Sequence, residues 1–231
     1  MSRTAINEER SVLRTAPAPA ATLADMRFRA LLGAEAWNAL PAAVQMRFAK
    51  RLLPGQSISY AGAVVACAMT SAGWLLAQLC RLIGAPLPLG RDADLAAVVT
   101  VTEDGGSGGQ VWTRMYARRR GFPQVIHSAK RFAGPTGLEE YLGAGFGIAL
   151  TVAATAAGIR FSSDHYFIAL RGRRLQLPRW LAPGALQIDH EDLGEGRFAF
   201  ILSLRHRLLG EIIHQVGHFR DQPDAGKGDI Q

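Results

Sequence analysis

Two charged residues stand inside stretches that otherwise read as buried. Arg114 alternates with Trp112 and Tyr116 in a run from Gln110 to Arg118. Glu140 lies between Leu138 and Leu142, in a run whose even positions continue as Ala144, Phe146, Ile148 and Leu150. At a period of two, each charge shares a strand face with apolar groups. A buried carboxylate is costly unless paired, and a guanidinium meets it with two hydrogen bonds. Arg114 and Glu140 are therefore expected to be partners inside a sheet, either as a structural pair or as an anchor for a ligand's polar head. The competing reading puts Glu140 near a strand end, in water. With Trp112, Tyr116 and Ser128 they form the candidate ligand-binding set.

Other constellations fail on spacing. His214 and His218 would share one helix face, with Glu211 and Asp221 near, but Gln215 stands where a zinc protease needs Glu. On a strand, positions four apart are about 13 Å apart and cannot share an ion. Gly210 and Gly217 weaken a helix there, so no metal site is expected. Gly143-Ala144-Gly145-Phe146-Gly147 resembles a dinucleotide loop, with Asp164 near the ribose-contact distance. Its third Gly comes one position early and no buried parallel strand precedes it, so it reads as a glycine-bent strand. His127 and Ser128 are adjacent; on a strand they face opposite ways and cannot act as base and nucleophile together. No complete catalytic or cofactor motif appears, and no cofactor is expected.

The elements that would position these residues are mostly strands. Asp104–Gly109, Gly121-Phe122-Pro123 and Gly134–Gly137 are turn signals that separate Gln110–Arg118, Gln124–Phe132 and a third run from Leu138 to Leu150. Upstream, Thr22 is placed to cap a helix through about Leu32, stopped by Gly33. Pro41 opens a second helix that runs through Phe48 to Leu53. Ser57–Ala68 reads as a strand, and Ser71–Ile83 as a helix capped by Ser71. Leu95–Glu103, Thr151–Gly158, Ile159–Leu170, Ala185–His190 and Arg197–Leu204 complete the strands, with a bulge or turn near Ser162-Ser163-Asp164 and an apolar loop at Leu177–Pro183. The fold class is α+β, mainly β: a strongly curved antiparallel sheet or barrel with a few packed helices. Residues 1–21 and 222–231 read as disordered tails of a single domain spanning 22–221.

Composition narrows the functions. The 231 residues are 48% hydrophobic with a net charge of +7, enough for a sizeable core. The basic residues are dispersed; Arg118-Arg119-Arg120 precedes a turn and reads as a solvated loop, so nucleic acid is not an expected partner. Cys67 and Cys80 lack metal-ligand spacing and read as buried thiols in a reducing, cytoplasmic compartment. The stretch Ala61–Cys80 carries no charge and is long enough to cross a bilayer. Its division into a strand and a helix predicts instead a chain that stays in solution without detergent.

Several short pieces recur in a familiar order: the Gly62-containing strand, the helix Leu75–Gly84 with Pro86, Trp112-Thr113-Arg114, Ser128, Glu140 with Gly143, Leu177-Pro178 with Ala182-Pro183, and Gly210 with Gly217. Over roughly residues 28–221 the chain resembles a bacterial family, domain of unknown function 4166, often found behind saccharopine-dehydrogenase-like or short-chain-reductase-like domains. The resemblance implies a reductase domain as a possible partner but supplies no reaction. The chain departs from the family at Phe48-Ala49, where a His is usual, at Gln110, where an acid is usual, and at Gln215, where a Tyr is usual. If those groups carry an activity in relatives, this chain lacks them.

The leading reading is a non-catalytic binding module whose curved sheet encloses a lipid-like or hydrophobic small molecule. The alternatives are an enzyme or accessory domain acting with a separately encoded reductase, and a membrane-surface protein with the Ser71–Ile83 helix laid on the bilayer. If residues 1–20 are dispensable, a chain starting at Ala21 should melt at the full-length temperature. Melting many degrees lower would mean that the tail is docked.

Overall fold

Period-two patterns become strands through most of the chain, and the strands close on themselves. The computed structural model describes residues 22–24 and 27–221; the expected tails 1–21 and 222–231 lie outside the described residues. In order, the elements are β1 (Thr22–Ala24), α1 (Arg27–Leu32), α2 (Ala34–Asn38), α3 (Ala42–Phe48), β2 (Lys50–Leu52), β3 (Ser57–Met69) and α4 (Ser71–Leu79), which a 3-10 turn (Cys80–Ile83) continues. Then follow β4 (Leu95–Asp104), β5 (Gly109–Tyr116), β6 (Gln124–Arg131), β7 (Glu139–Gly143), β8 (Phe146–Ala154), β9 (Gly158–Leu170), β10 (Arg173–Gln176), β11 (Ala185–Gly194), β12 (Arg197–His206) and β13 (Gly210–Arg220).

The large sheet runs β9-β11-β12-β13-β3-β4-β5-β6-β7-β8, and β8 pairs back onto β9 from Phe146↔Ile168 to Ala154↔Ile159. The result is a closed, antiparallel, ten-stranded barrel with a few helices. β10 folds back on β9 as an outer arm. No described helix is long and apolar enough to cross a membrane.

Local departures from the sequence reading have local causes. Thr22–Ala24 is not the start of a helix: it pairs antiparallel with Lys50–Leu52 in a separate two-stranded sheet. That pairing also takes Lys50–Leu52 from the second helix, whose apolar spacing had seemed to continue. Pro41 is the N-cap rather than the first helical residue of α3. Thr70, not Ser71, caps α4, its hydroxyl accepting from the Gly73 N–H at 3.1 Å. The run Leu138–Leu150 is a hairpin rather than one bent strand: Gly143, Ala144 and Gly145 take φ of 132°, 49° and 80° and reverse the chain between β7 and β8. The bulge near Ser162–Asp164 is present, as a register shift in which Ala149 faces His165 and Leu150 faces Ser163.

The two barrel ends are closed differently. At one, α3 is held by Arg47, whose side chain is 5% exposed and bonds Asp221 at 2.7 Å and Asp192 at 3.0 Å. Its guanidinium lies over the Phe198 ring. At the other end, α4 and its 3-10 turn cross the mouth as a strap. The strap begins against β13, where a Cβ on Gly73 would come within 2.1 Å of the Ile212 carbonyl. It ends against the β7–β8 hairpin, where Ile83 touches Gly143. Buried Gln124 pins the segment that follows, donating to the Leu87 carbonyl at 2.8 Å and accepting from the Leu89 N–H at 3.0 Å.

His190 on β11 is 2% exposed, stacked on Phe198 and meeting Phe48 and Phe200 edge to face. Burial, with the Arg47 charge beside it, pushes its pKa down to about 3, against the smaller opposite pull of Asp192 and Asp221. The folded protein therefore keeps His190 neutral while the unfolded chain protonates near 6.5, so stability falls as pH drops from 6.5 towards 3. Between pH 6.5 and 4.5 this amounts to about 2–3 kcal/mol. Urea titrations at both pH values should show that loss in the wild type and most of it removed in His190→Leu. An unchanged pH slope in the variant would refute the assignment.

Candidate functional site

The barrel encloses a cavity of about 450 Å³, within the range of small-molecule sites. Leu76, Cys80 and Ile83 of the strap line its mouth, with Leu177, Leu181 and Pro183 of the loop before β11 on the opposite lip. The inward faces of β5, β9, β12 and β13 supply Trp112, Phe161, Phe200 and Phe219. Beyond these, Phe48, Phe198 and His190 pack in the same aromatic cluster. The charged side chains on the wall are Arg114, Lys130 and Glu140.

These three residues meet by register. Lys130 and Glu140 are direct cross-strand neighbours on β6 and β7, and Lys130 Nζ donates to Glu140 Oε2 at 2.9 Å. Arg114 reaches across β6 from β5: its Nη2 donates to Glu140 Oε1 at 3.1 Å and to the Ser128 hydroxyl at 3.1 Å. The expected partnership of Arg114 and Glu140 is present, bridged over an intervening strand. Glu140 is 3% exposed, so the reading of a solvated strand end is not what the fold adopts. Its neighbour Glu139 points to the other side of the pleat, where Arg174 of β10 and the Tyr141 hydroxyl bind it.

Burial opposes ionisation of Glu140, but Lys130, Arg114 and the Ser128 hydroxyl overcome it and hold the carboxyl at about 2. Lys130 is pushed the other way: desolvation lowers its pKa, and Arg114 adds to that, against the stabilising pull of Glu140. Its ammonium also lies 5.0 Å from the Trp112 ring centre. Trp112 donates its indole N–H to Gln110 at 3.2 Å. Tyr116 also lines the cavity, and burial raises its pKa.

All five sequence-predicted residues come together. Trp112, Arg114, Tyr116 and Glu140 line the cavity, and Ser128 bonds Arg114. Lys130 was missed, although it lies two positions from Ser128 and therefore on the same face. His127 points outward, bonded to Thr113 at 3.1 Å. His214 and His218 lie on strand β13, and no group of metal-ligating residues forms among the described residues. Of the departures from the family pattern, Gln215 lines the cavity, Gln110 holds Trp112, and Phe48 packs against Phe161.

The trio changes the mutational logic. Replacing Arg114 and Glu140 together, the compensated pair expected from sequence, would strand Lys130. Glu140→Leu leaves the buried Lys130 and the partly buried Arg114 without a counter-charge and should cost about 3–5 kcal/mol. Lys130→Met leaves the Arg114–Glu140 pair intact and should cost less than about 1 kcal/mol, or stabilise. Urea unfolding of the two variants checks the order; equal losses would show that Glu140 does not hold both cations.

No curated protein matches this chain, and no solved structure does. A family model described as "Domain of unknown function (DUF4166)" matches residues 40–219. That span takes in α3, the strap, all ten barrel strands and the charged trio, and on that match the chain belongs to the DUF4166 family.

Proposed function

We propose that the barrel is a binding module for an apolar molecule that carries one anionic group, such as a long-chain carboxylic acid. The observation that carries this reading is the charge count on the cavity wall. Among the described residues, two cations face one carboxylate in an enclosure lined mainly by apolar side chains. An unbalanced buried cation is unfavourable; burial lowers the Lys130 pKa, and the Arg114 charge lowers it further against the pull of Glu140. An anion bound beside Arg114 and Lys130 balances the wall, while the chain attached to it fills the apolar space towards the strap. Lys130 lies roughly 20 Å along β6 from Gln124, and Glu140 roughly 10 Å along β7 from Gly143, the strap ends of their strands, so the trio sits inside the barrel below the strap. The head group therefore sits deep and the tail points to the mouth. This orientation favours a molecule that enters head first, and bonds such as those from Arg114 fix its direction.

Binding also couples to protons. An anion beside Lys130 raises its pKa, so the complex takes up a proton at any pH where free Lys130 is partly neutral. The test is displacement of a fluorescent polyene fatty acid, read alongside native mass spectrometry of protein purified from cells. A long-chain acid should bind at least about tenfold more tightly than the alcohol of equal length, the equivalent of about 1.4 kcal/mol. Arg114→Met and Lys130→Met each leave a one-to-one pair, so each should erase that preference while the alcohol still binds. Equal affinity of acid and alcohol in the wild type, or failure of the acid to enter, would defeat the proposal.

A further inference from the structure

The exposed apolar side chains of this protein are gathered at one end of the barrel. On the strap, Leu75, Leu79 and Leu82 are more than half exposed and fall at i, i+4 and i+7, while Leu76 and Cys80 face the cavity. Across the mouth Trp180 is 77% exposed. The β12–β13 turn adds Leu208 at 78%, and the β5–β6 turn adds Phe122 at 92%. All these segments join strands at the strap end, because β3, β5, β7, β9 and β12 finish there and β6, β8, β11 and β13 begin there. Towards the opposite end the exposed large hydrophobics among the described residues are Met46 and Leu193. A monomer rarely leaves so much apolar surface in one place without a use for it.

The same end holds the positive charge. Its connecting segments, residues 71–94, 117–123, 142–146, 169–184 and 205–211, contain eleven arginines and three carboxylates, Asp92, Asp94 and Glu211. That surplus of eight compares with +7 for the whole chain, so the remainder is close to neutral. Asp92 faces Arg119, and Glu211 faces Arg205; Arg174 is paired with the buried Glu139 of β7, outside these segments, which leaves a net surplus of seven. The Arg118–Arg120 run, unremarkable as a sequence, is therefore one part of a basic rim around an apolar tip.

We infer that the strap end docks on an anionic phospholipid bilayer, with Leu79, Leu82 and Trp180 entering the lipid and the arginines meeting its headgroups. Amphipathic surfaces of this composition bind membranes by combining apolar insertion with attraction to anionic lipid. Charge complementarity selects this occupant. A second copy meeting the first through the same face would oppose two surpluses of seven positive charges. Nucleic acid would satisfy the arginines and leave the leucines in water. Docking aims the cavity mouth at the bilayer; passage of a ligand between the two rests on the cavity reading above, whereas docking itself does not.

The experiment is flotation of the full chain with phosphatidylcholine vesicles, with and without phosphatidylglycerol. We expect binding to the anionic vesicles alone, its loss at high salt, and a blue shift of tryptophan emission that Trp180→Phe diminishes. Leu79→Asp combined with Leu82→Asp changes exposed positions, so the fold should persist, with circular dichroism and the melting temperature as its check. That variant should lose vesicle binding at least tenfold. Wild type that ignores anionic vesicles, a double variant that binds them as the wild type does, or a dimer that the double variant dissociates would each overturn the inference. So would duplex DNA that competes with vesicles and still binds the double variant. Vesicle binding without fatty-acid binding would sink the cavity reading and leave docking standing; the reverse would sink docking alone.

Discussion

The pairing of β8 with β9 is the contact on which the rest of this structure depends. It removes both sheet edges and turns one face of every strand inward. An eight-stranded barrel is just wide enough for its own side chains to fill, and a larger one leaves space. With ten strands, even Trp112, Phe161, Phe200 and Phe219 leave an apolar cavity at the centre. Closure also places the even positions of β7 on the inside, so that Glu140 has no route to water. Its charge must then be met by whatever the neighbouring strands present.

What they present is more than enough. Glu140 bonds both Lys130 and Arg114, and it is the member without which two cations remain buried together. A salt bridge of this kind is weak evidence for stability, since apolar residues could pack the same space at lower cost. It is better understood as a polarity built into one region of an apolar enclosure. That gives the cavity a direction: charge deep inside, and the leucines of the strap at the mouth.

The asymmetry extends to the two ends. Arg47 locks α3 between Asp192 and Asp221 and seals one end with buried, paired charge. The strap closes the other with apolar contacts and few polar ties, Gln124 being the principal one. Its outer leucines and the arginines of the surrounding turns face away from the barrel. The buried His190 makes the sealed end sensitive to acid, and nothing comparable is found in the strap.

Much of this was legible in the sequence because strand periodicity is local. The alternation of Trp112, Arg114 and Tyr116, and that of Glu140 with its apolar neighbours, put each charge on an apolar strand face, with a solvated strand end as the other reading for Glu140. Strand spacing likewise argued against a shared ion at His214 and His218 if that segment is a strand, which β13 is. Other features were invisible for physical reasons. Lys130 lies in Gln124–Arg131, where polar residues occupy both faces, so the pattern cannot say which side is buried. Lys50–Leu52 continued a helical spacing until an antiparallel partner at Thr22–Ala24 claimed it, and no local signal announces a partner so distant in the chain. The Leu138–Leu150 run kept one parity through its hairpin and so looked like a single strand. The sequence by itself determined the β-rich class and which apolar faces carry Arg114 and Glu140, because both follow from a period of two. Only the tertiary structure decided that the sheet closes, that two cations share one carboxylate, and that arginines scattered over five segments gather at one end. Those are sums over strands far apart in the chain, fixed by register and closure rather than by any local pattern.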